Sequence, residues 1–400
     1  MVVYLLYLIF ERNAYTYDYR GTGLRTDTNN AWRDIMFSFL IPIFPICSTH
    51  KEDTMTRARI LIVCVASFSV ICSSIFCGGG SGSSGGSDDP GAGPGAGGEA
   101  GEGVTIADYS VAKESVLRAI PVTYIDKART TLHVAYQHTS HGTHVSYGVY
   151  GLPDYKTGDA TLFGVTSNAS TADANKLDFN DYDGNSGNYL ANGVSDLSNG
   201  VDGSGTPAFV TATEAYLDDP ANADINVVMW SWCSIHNHDI SRYLTGMQTL
   251  IDEYKSGGTK NRAVPVTFIF MTGHAAAAEF EGEDGNNDGD GLPHDQQKLI
   301  VDYCNAHGYY CLDYYSIDTH DMNDVYHAKA DDDGNDAASG VNFYTTWQSS
   351  HVLGTDWFEA KDAPGGTVRT AEHNSQHITA NRKAYAFWWI LARIAGWDGN

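Results

Sequence analysis

Basic residues are scarce in this chain: 24 Lys and Arg stand against 49 Asp and Glu among 400 residues, a formal net charge of −25. Residues 1–76 hold 7 of the basic and 6 of the acidic side chains, which leaves 17 and 43 from Cys77 onward, a net of −26. Affinity for nucleic acid rests on neutralising phosphates with Lys and Arg, so the deficit argues against such a partner. It suits a solvated acidic surface, a salty habitat or divalent cations. Cysteine is also scarce where a domain would lie. Cys47, Cys64, Cys72 and Cys77 fall in the first quarter, and only Cys233, Cys304 and Cys311 lie beyond it, too few for a disulfide scaffold. Cys304 and Cys311 bracket a helix end and a strand start, and can pair in an oxidising compartment. No HExxH helix and no paired CxxC announces a metal. The apolar run at 60–76 is seventeen residues, the lower limit for crossing a bilayer.

That run follows Met55-Thr-Arg-Ala-Arg and leads through Cys77 into a Gly/Ser tract. A short basic start, an apolar stretch and a tether describe an export signal over 55–77 better than a membrane span. The pattern resembles a bacterial lipoprotein signal with Cys77 as the lipidated residue, departing from it at Phe76, where a small residue is expected. The expected location is therefore a cell-surface or periplasmic lipoprotein, alternatively a secreted protein, touching membrane only through the anchor or signal. Residues 1–54 carry two apolar patches without usable periodicity and read as an extension upstream of a start at Met55. Residues 78–103 are Gly, Ser, Ala, Pro and acids, too poor in apolar surface to order themselves.

The domain is expected over 104–400. Strand-like runs occur at 131–136, 225–232, 264–272 and 309–315. Helical periodicity follows Asp239, with Ile240, Tyr243, Leu244, Met247, Leu250, Ile251 and Tyr254 at 3–4-residue spacing. It recurs over 293–307, where Leu299, Ile300, Tyr303 and Cys304 share a face, and over 379–395, dense enough in apolar residues to be buried. Short apolar strands alternating with helices predict an α/β fold with a mainly parallel sheet of about five strands, covered on both faces. Residues 153–208 fit poorly and read as loops with one weak strand. Residues 318–372 read as a loop insertion over the strand ends.

Sites in such sheets form at the carboxyl ends of the strands, and each run here ends in reactive residues: His138, Ser140 and His141; Cys233; His274; Asp313. A serine hydrolase needs a nucleophile, a base and oxyanion donors. Ser140 in His138-Thr-Ser-His141-Gly142 is the candidate nucleophile. Neighbours along a tight turn rarely point at one another, so the expected base is His377, before the last helix. Backbone amides of Ser140 and Gly142, with Asn237, are the candidate oxyanion donors. His138, His141, Cys233, His274, Asp313 and His373 are expected to line the site.

A serine near the domain start with a late histidine before the final helix resembles the SGNH/GDSL hydrolase superfamily. The resemblance covers roughly 104–400 and rests on HTSHG, VVMWSWC, FMTGH and AFWWILARIAGWDG. It implies a flavodoxin-like three-layer α/β/α sandwich and an esterase, lipase or carbohydrate deacetylase. The expected substrate is a small-molecule or carbohydrate ester, with no cofactor required. Where the family has Asp-x-x-His, this chain has Asn374-Ser-Gln-His377. Glu372 or another carboxylate then substitutes for the aspartate, or the enzyme works as a dyad. The family's Gly-x-Asn-Asp block is replaced by Ser231-Trp-Cys-Ser234.

Two other functions stay open. The lost Asp and Asn suit a catalytically silent binding or structural lipoprotein on the same scaffold. Alternatively, His138, His141 and His144 at spacings of three, with His236, His238 and His274, converge on a metal that activates water. Separately, Asp284, Asn286, Asp288, Asp290 and Asp295, with Gly289 at position six, resemble a calcium loop; a flexible acidic loop is the alternative. Asp331-Asp-Asp-Gly-Asn-Asp336 is a weaker calcium-loop candidate and reads rather as solvated. Tyr344, Trp347 and Trp357 read as loop packing, with a sugar platform as the alternative.

Overall fold

The computed structural model describes residues 105–399 apart from 170, 185–195, 201–204, 278, 281, 282 and 284. The chain divides into two units, Met1–Gly86 and Ser87–Asn400, and all described residues belong to the second. The expected export signal, Cys77 as a lipid site, the tether and Asp284 lie outside the described residues.

Seven strands form one sheet: β1 (Ile106–Ala107), β2 (His133–His138), β3 (Val165–Thr166), β4 (Leu177–Asp183), β5 (Val227–Trp230), β6 (Thr267–Met271) and β7 (Cys311–Leu312). Their order is β1-β7-β6-β5-β2-β4-β3, and every pairing is parallel. Without its edge strands β1 and β3, the sheet has the 2-1-3-4-5 order of a doubly wound fold.

Alternate residues serve opposite faces, as a two-sided sheet requires. Val134, Tyr136, Val227, Met229, Ile269, Met271 and Leu312 join one core. Ala135, Val228, Trp230, Phe268, Phe270 and Cys311 join the other. The first core is covered by α1 (Glu114–Ala119), α2 (Val122–Thr131), α3 (Thr143–Gly151), α4 (Asp159–Leu162) and the carboxy-terminal helix. The second is covered by α5 (Ala208–Asp218), α6 (Ile240–Tyr254) and α7 (Pro293–His307). The expected three-layer α/β/α sandwich is the observed architecture, with seven strands rather than five.

The first strand begins two residues later than its alternation suggests, because α2 runs through Thr131. In α6 the Asp239 carboxylate accepts from the Arg242 amide at 3.0 Å, the expected N-cap. Helix α7 ends at Gly308, whose φ of 67° suits a glycine C-cap. Of the residues expected to share a face of α7, Ile300 and Cys304 are buried while Leu299 is 51% exposed. The short helix α8 (Tyr314–Thr319) follows β7 at once and shortens the strand read over 309–315. The insertion holds a small antiparallel pair, β8 (Asn335–Asp336) with β9 (Val341–Asn342), and α9 (Phe343–Ser349).

The last helix, α10 (Ile378–Ile394), is buried nearly throughout, including Asn381, Arg382 and Lys383. It crosses α3 so closely that a Cβ on Gly148 would lie 2.0 Å from the Ala380 carbonyl oxygen. Ala360, which leads toward α10, approaches the other end of α3 at Gly151. Among the described residues no helix is long and apolar enough to cross a membrane.

Candidate active site

After β2 the chain turns through Ser140–Gly142 into α3, which puts His141 and His144 one turn apart where that helix begins. Beside β2 lies β5, whose continuation carries Cys233, and then β6, whose continuation carries His274. This is the switch point of the sheet, where the strand after β2 can lie on either side and a crevice opens. Two further groups come from outside the sheet: Asp332 from the insertion and His373 from the segment before α10.

The Asp332 turn is locked by its neighbours. The Asp331 carboxylate accepts from the amides of Asp333 and Asn335 at 3.0 and 2.8 Å. Asp333 accepts from the Ser375 amide at 2.7 Å. The Asn374 side chain donates to the Asp332 carbonyl at 3.0 Å. These bonds hold the turn down over the strand ends, with Asp332 only 8% exposed. The run that reads as solvated is a wall of the crevice.

Five side chains meet there. Nδ1 of His141 is 3.2 Å from Sγ of Cys233. Nε2 of His141 is 3.3 Å from Oδ2 of Asp332. The His141 ring is stacked between two others, with His274 at 3.8 Å between centroids and 2° between planes, and His373 at 4.3 Å and 14°. His274 turns Nδ1 to the Ala275 carbonyl at 2.8 Å, which leaves Nε2 with the lone pair. One ligand atom from each of His141, Cys233 and His274 lies within 4.8 Å of the others.

Behind them is a buried relay. His144 donates from Nε2 to the Glu372 carbonyl at 2.7 Å, and its Nδ1 is 3.3 Å from Lys383 Nζ. Lys383 pairs with Asp318, both wholly buried, and Asp318 accepts from the Ala275 amide at 3.2 Å. The Lys383 ammonium also lies 4.0 Å from the centre of the Tyr314 ring, a cation–π contact.

Burial sets the protonation states. It pushes the His141 imidazole down to about 3, with His373 and Lys383 adding to the effect. It pushes His274 down to about 4, with His141 adding. Both rings are therefore neutral at pH 7. Burial raises the Cys233 thiol, against the nearby hydroxyls of Ser140 and Thr139, which lower it. Burial likewise raises Asp332, opposed by His274 and Lys383. It drives Asp318 up to about 7 and Lys383 downward, against their mutual attraction.

Several expected site residues stand elsewhere. The His377 ring accepts from the Ala360 amide at 3.1 Å and stacks on Trp357. Ala360 packs at Gly151, the far end of α3 from Ser140, and nine helical residues span roughly 13 Å. His377 is therefore not the base of Ser140. Asn374 binds the Asp332 carbonyl and Thr379 rather than any histidine. Glu372 sends its carboxylate to Arg369, and only its backbone meets the site. The Gly142 amide is spent on the Thr139 carbonyl at 3.0 Å, so it is no oxyanion donor. Asn237, at φ 56°, is held against Gly291 and His236.

His138 is fixed between Asp181 at 2.8 Å and its neighbour's carbonyl, and Asp313 caps α8 while accepting from Thr272 and Gln297. Both are structural. His236 stacks on Phe280 and His238 pairs with Asp196, apart from the cluster. Of the calcium-loop residues, Asp288, Asp290 and Asp295 converge, but Gly289 donates to the Asp295 carboxylate. His141, Cys233, His274 and His373 are brought together as expected, and Ser140 lies beside them. Cys304 and Cys311 are free buried thiols in contact.

Lys383 and Asp318 had no motif to mark them, and Asp332 lies in an acidic run that reads as solvated. The available signal was the excess of histidines at the strand ends without a carboxylate to orient them. No family model, curated protein or solved structure matches this chain.

Proposed function

We propose that this protein is a hydrolase acting on acyl bonds, with Cys233 as nucleophile, His141 as base and Asp332 as the group that orients the base. The observation that carries the reading is the unbroken line of contacts, Sγ to Nδ1 at 3.2 Å and Nε2 to Oδ2 at 3.3 Å. Nucleophile, base and orienter within such reach have the geometry by which a nucleophile is activated. In the resting site burial opposes the transfer by lowering the imidazole and raising the thiol, so the proton moves as sulfur attacks. Nε2 of His141 faces the otherwise unpartnered Oδ2 of Asp332 at 3.3 Å, and with the ring proton on that side Nδ1 is the nitrogen that accepts the thiol proton.

In the first half-reaction Nδ1 takes the S–H proton as sulfur attacks the acyl carbon. The tetrahedral oxyanion collapses, and the leaving group departs with the proton from Nδ1–H, leaving an acyl thioester on Cys233. Water then attacks that thioester, giving its proton to Nδ1. The second collapse releases the carboxylic acid and returns the proton to sulfur. The oxyanion needs donors in a dry site. The hydroxyl of Thr139, buried without a partner, and that of Ser140 suit this task. Ser140, the nucleophile in the resemblance to SGNH/GDSL enzymes, becomes a donor here because the imidazole nitrogen faces sulfur. The substrate class stays that of the resemblance, a small-molecule or carbohydrate ester.

The test is acylation of the full chain, freed of metal, by an activated ester, followed by mass mapping of the modified residue. Cys233 is expected to carry the acyl group, and Cys233→Ala to lose both adduct and turnover. His141→Ala is expected to lower turnover by about 10²–10⁴-fold. An adduct on Ser140 would transfer the role to the serine. No adduct and no turnover would leave the silent scaffold.

A further inference from the structure

The same crevice has the donor set of a metal centre, and we infer that it binds one divalent ion of the zinc type through Nδ1 of His141, Sγ of Cys233 and Nε2 of His274. Thiolate and imidazole ligands select zinc and its softer neighbours over calcium or magnesium. Three ligand atoms already lie within 4.8 Å of one another, and the sulfur-to-nitrogen separation of 3.2 Å is close to the edge of a tetrahedron with Zn–S of about 2.3 Å and Zn–N of about 2.0 Å.

The outer contacts fit as well. A ligating histidine commonly donates its other N–H to a carboxylate or a backbone carbonyl, which fixes the tautomer and aims the lone pair. His141 faces Asp332 through Nε2, and His274 faces the Ala275 carbonyl through Nδ1. His274 thus has its outer hydrogen bond already, and His141 has a carboxylate oxygen 3.3 Å from its outer nitrogen. The rings lie parallel, so the ion has to turn one of them for the lone pairs to converge. Cys233 is partly exposed, which leaves a way in and a fourth position for water.

The consequence rests on the proposed function. Binding takes the thiol proton and commits the sulfur lone pair, so a metal-loaded Cys233 is no nucleophile. The ion is then an inhibitor of the hydrolase, and its removal the activating step.

The experiment is a cobalt(II) titration of the full chain, with zinc protection of Cys233 against iodoacetamide as a second readout. One equivalent of cobalt is expected to give a near-ultraviolet sulfur-to-cobalt charge-transfer band, displaced by zinc. Zinc is expected to slow alkylation of Cys233 at least tenfold. His274→Ala is expected to weaken metal binding by more than the roughly 10–100-fold that loss of an outer partner costs, and to abolish protection by zinc. Cys233→Ser, which preserves size, is expected to lose the band, with circular dichroism reporting that both variants fold. Absence of the band at one equivalent, or protection that survives in a folded His274→Ala chain, overturns the site. Hydrolysis that requires zinc overturns the inhibitory role and the thiol nucleophile, while the metal site stands. Failure of Cys233 to acylate in the metal-free chain sinks the proposed function alone.

Discussion

Glu283 is 2% exposed, with one carboxylate oxygen accepting from the Tyr315 hydroxyl at 2.8 Å and the other without a partner. Burial is the largest influence and raises its pKa from an ordinary 4.5 to about 7, with Asp290 adding and Tyr315 and His294 opposing. Between those values the folded chain holds a proton that the unfolded chain has released. Stability therefore falls as pH rises through this window and levels off above it. Glu283→Gln keeps an acceptor for Tyr315 and has no proton to lose. Its thermal midpoint is expected to match the wild type at pH 4.5 and to exceed it at pH 8. A difference that does not change with pH would show that the carboxyl does not titrate there.

Residue by residue, the sequence located the site better than it assigned roles. Ser140, His141, Cys233, His274 and His373 were all legible, because polar residues at the ends of apolar strands have few structural reasons to be there. Asp332 was hidden, since a run of aspartates reads the same whether it faces water or folds inward on hydrogen bonds from Asn335 and Ser375. His377 misled because its place before α10 suits a base, while its direction depends on the Ala360 amide, which sequence does not reveal.

At the scale of elements, strong periodicity was legible and polar strands were not. Helices α6 and α7 fall where their spacing predicts. Strand β4, Leu177–Asp183, pairs along the whole of β2, and its Asp and Asn residues left the one weak strand expected over 153–208 without a location. Packing of α3 on α10 had no sequence signature beyond Gly148. Gly148→Ala forces a methyl against the Ala380 carbonyl and is expected to cost at least the roughly 1–3 kcal/mol of an overpacked core, measurable by urea denaturation. Because α3 continues directly from the turn that holds His141, turnover should suffer too. The Lys383–Asp318 pair makes a second test. Lys383→Ala strands a buried carboxylate and is expected to cost about 3–5 kcal/mol. Lys383→Met combined with Asp318→Asn should cost less than Lys383→Ala alone. A double variant no more stable than the single one would mean that the pair is not what the carboxylate depends on.

For the whole molecule, charge is the dominant feature. A net of −25 repels itself most when compact, and salt relieves that repulsion as the Debye length shrinks from about 30 Å at 0.01 M to about 8 Å at 0.15 M. The thermal midpoint of the full chain is expected to rise over this range; a fall would mean that favourable surface pairs outweigh the surplus. The crevice is built from two sources. The doubly wound sheet supplies sulfur and imidazole, and the insertion supplies Asp332. Chemistry and its adjustment are thus carried by separable parts of one gene. Changes confined to residues 318–372 can retune the base, or the grip on a metal, while the sheet keeps the nucleophile in place, and related chains would be expected to diverge there first.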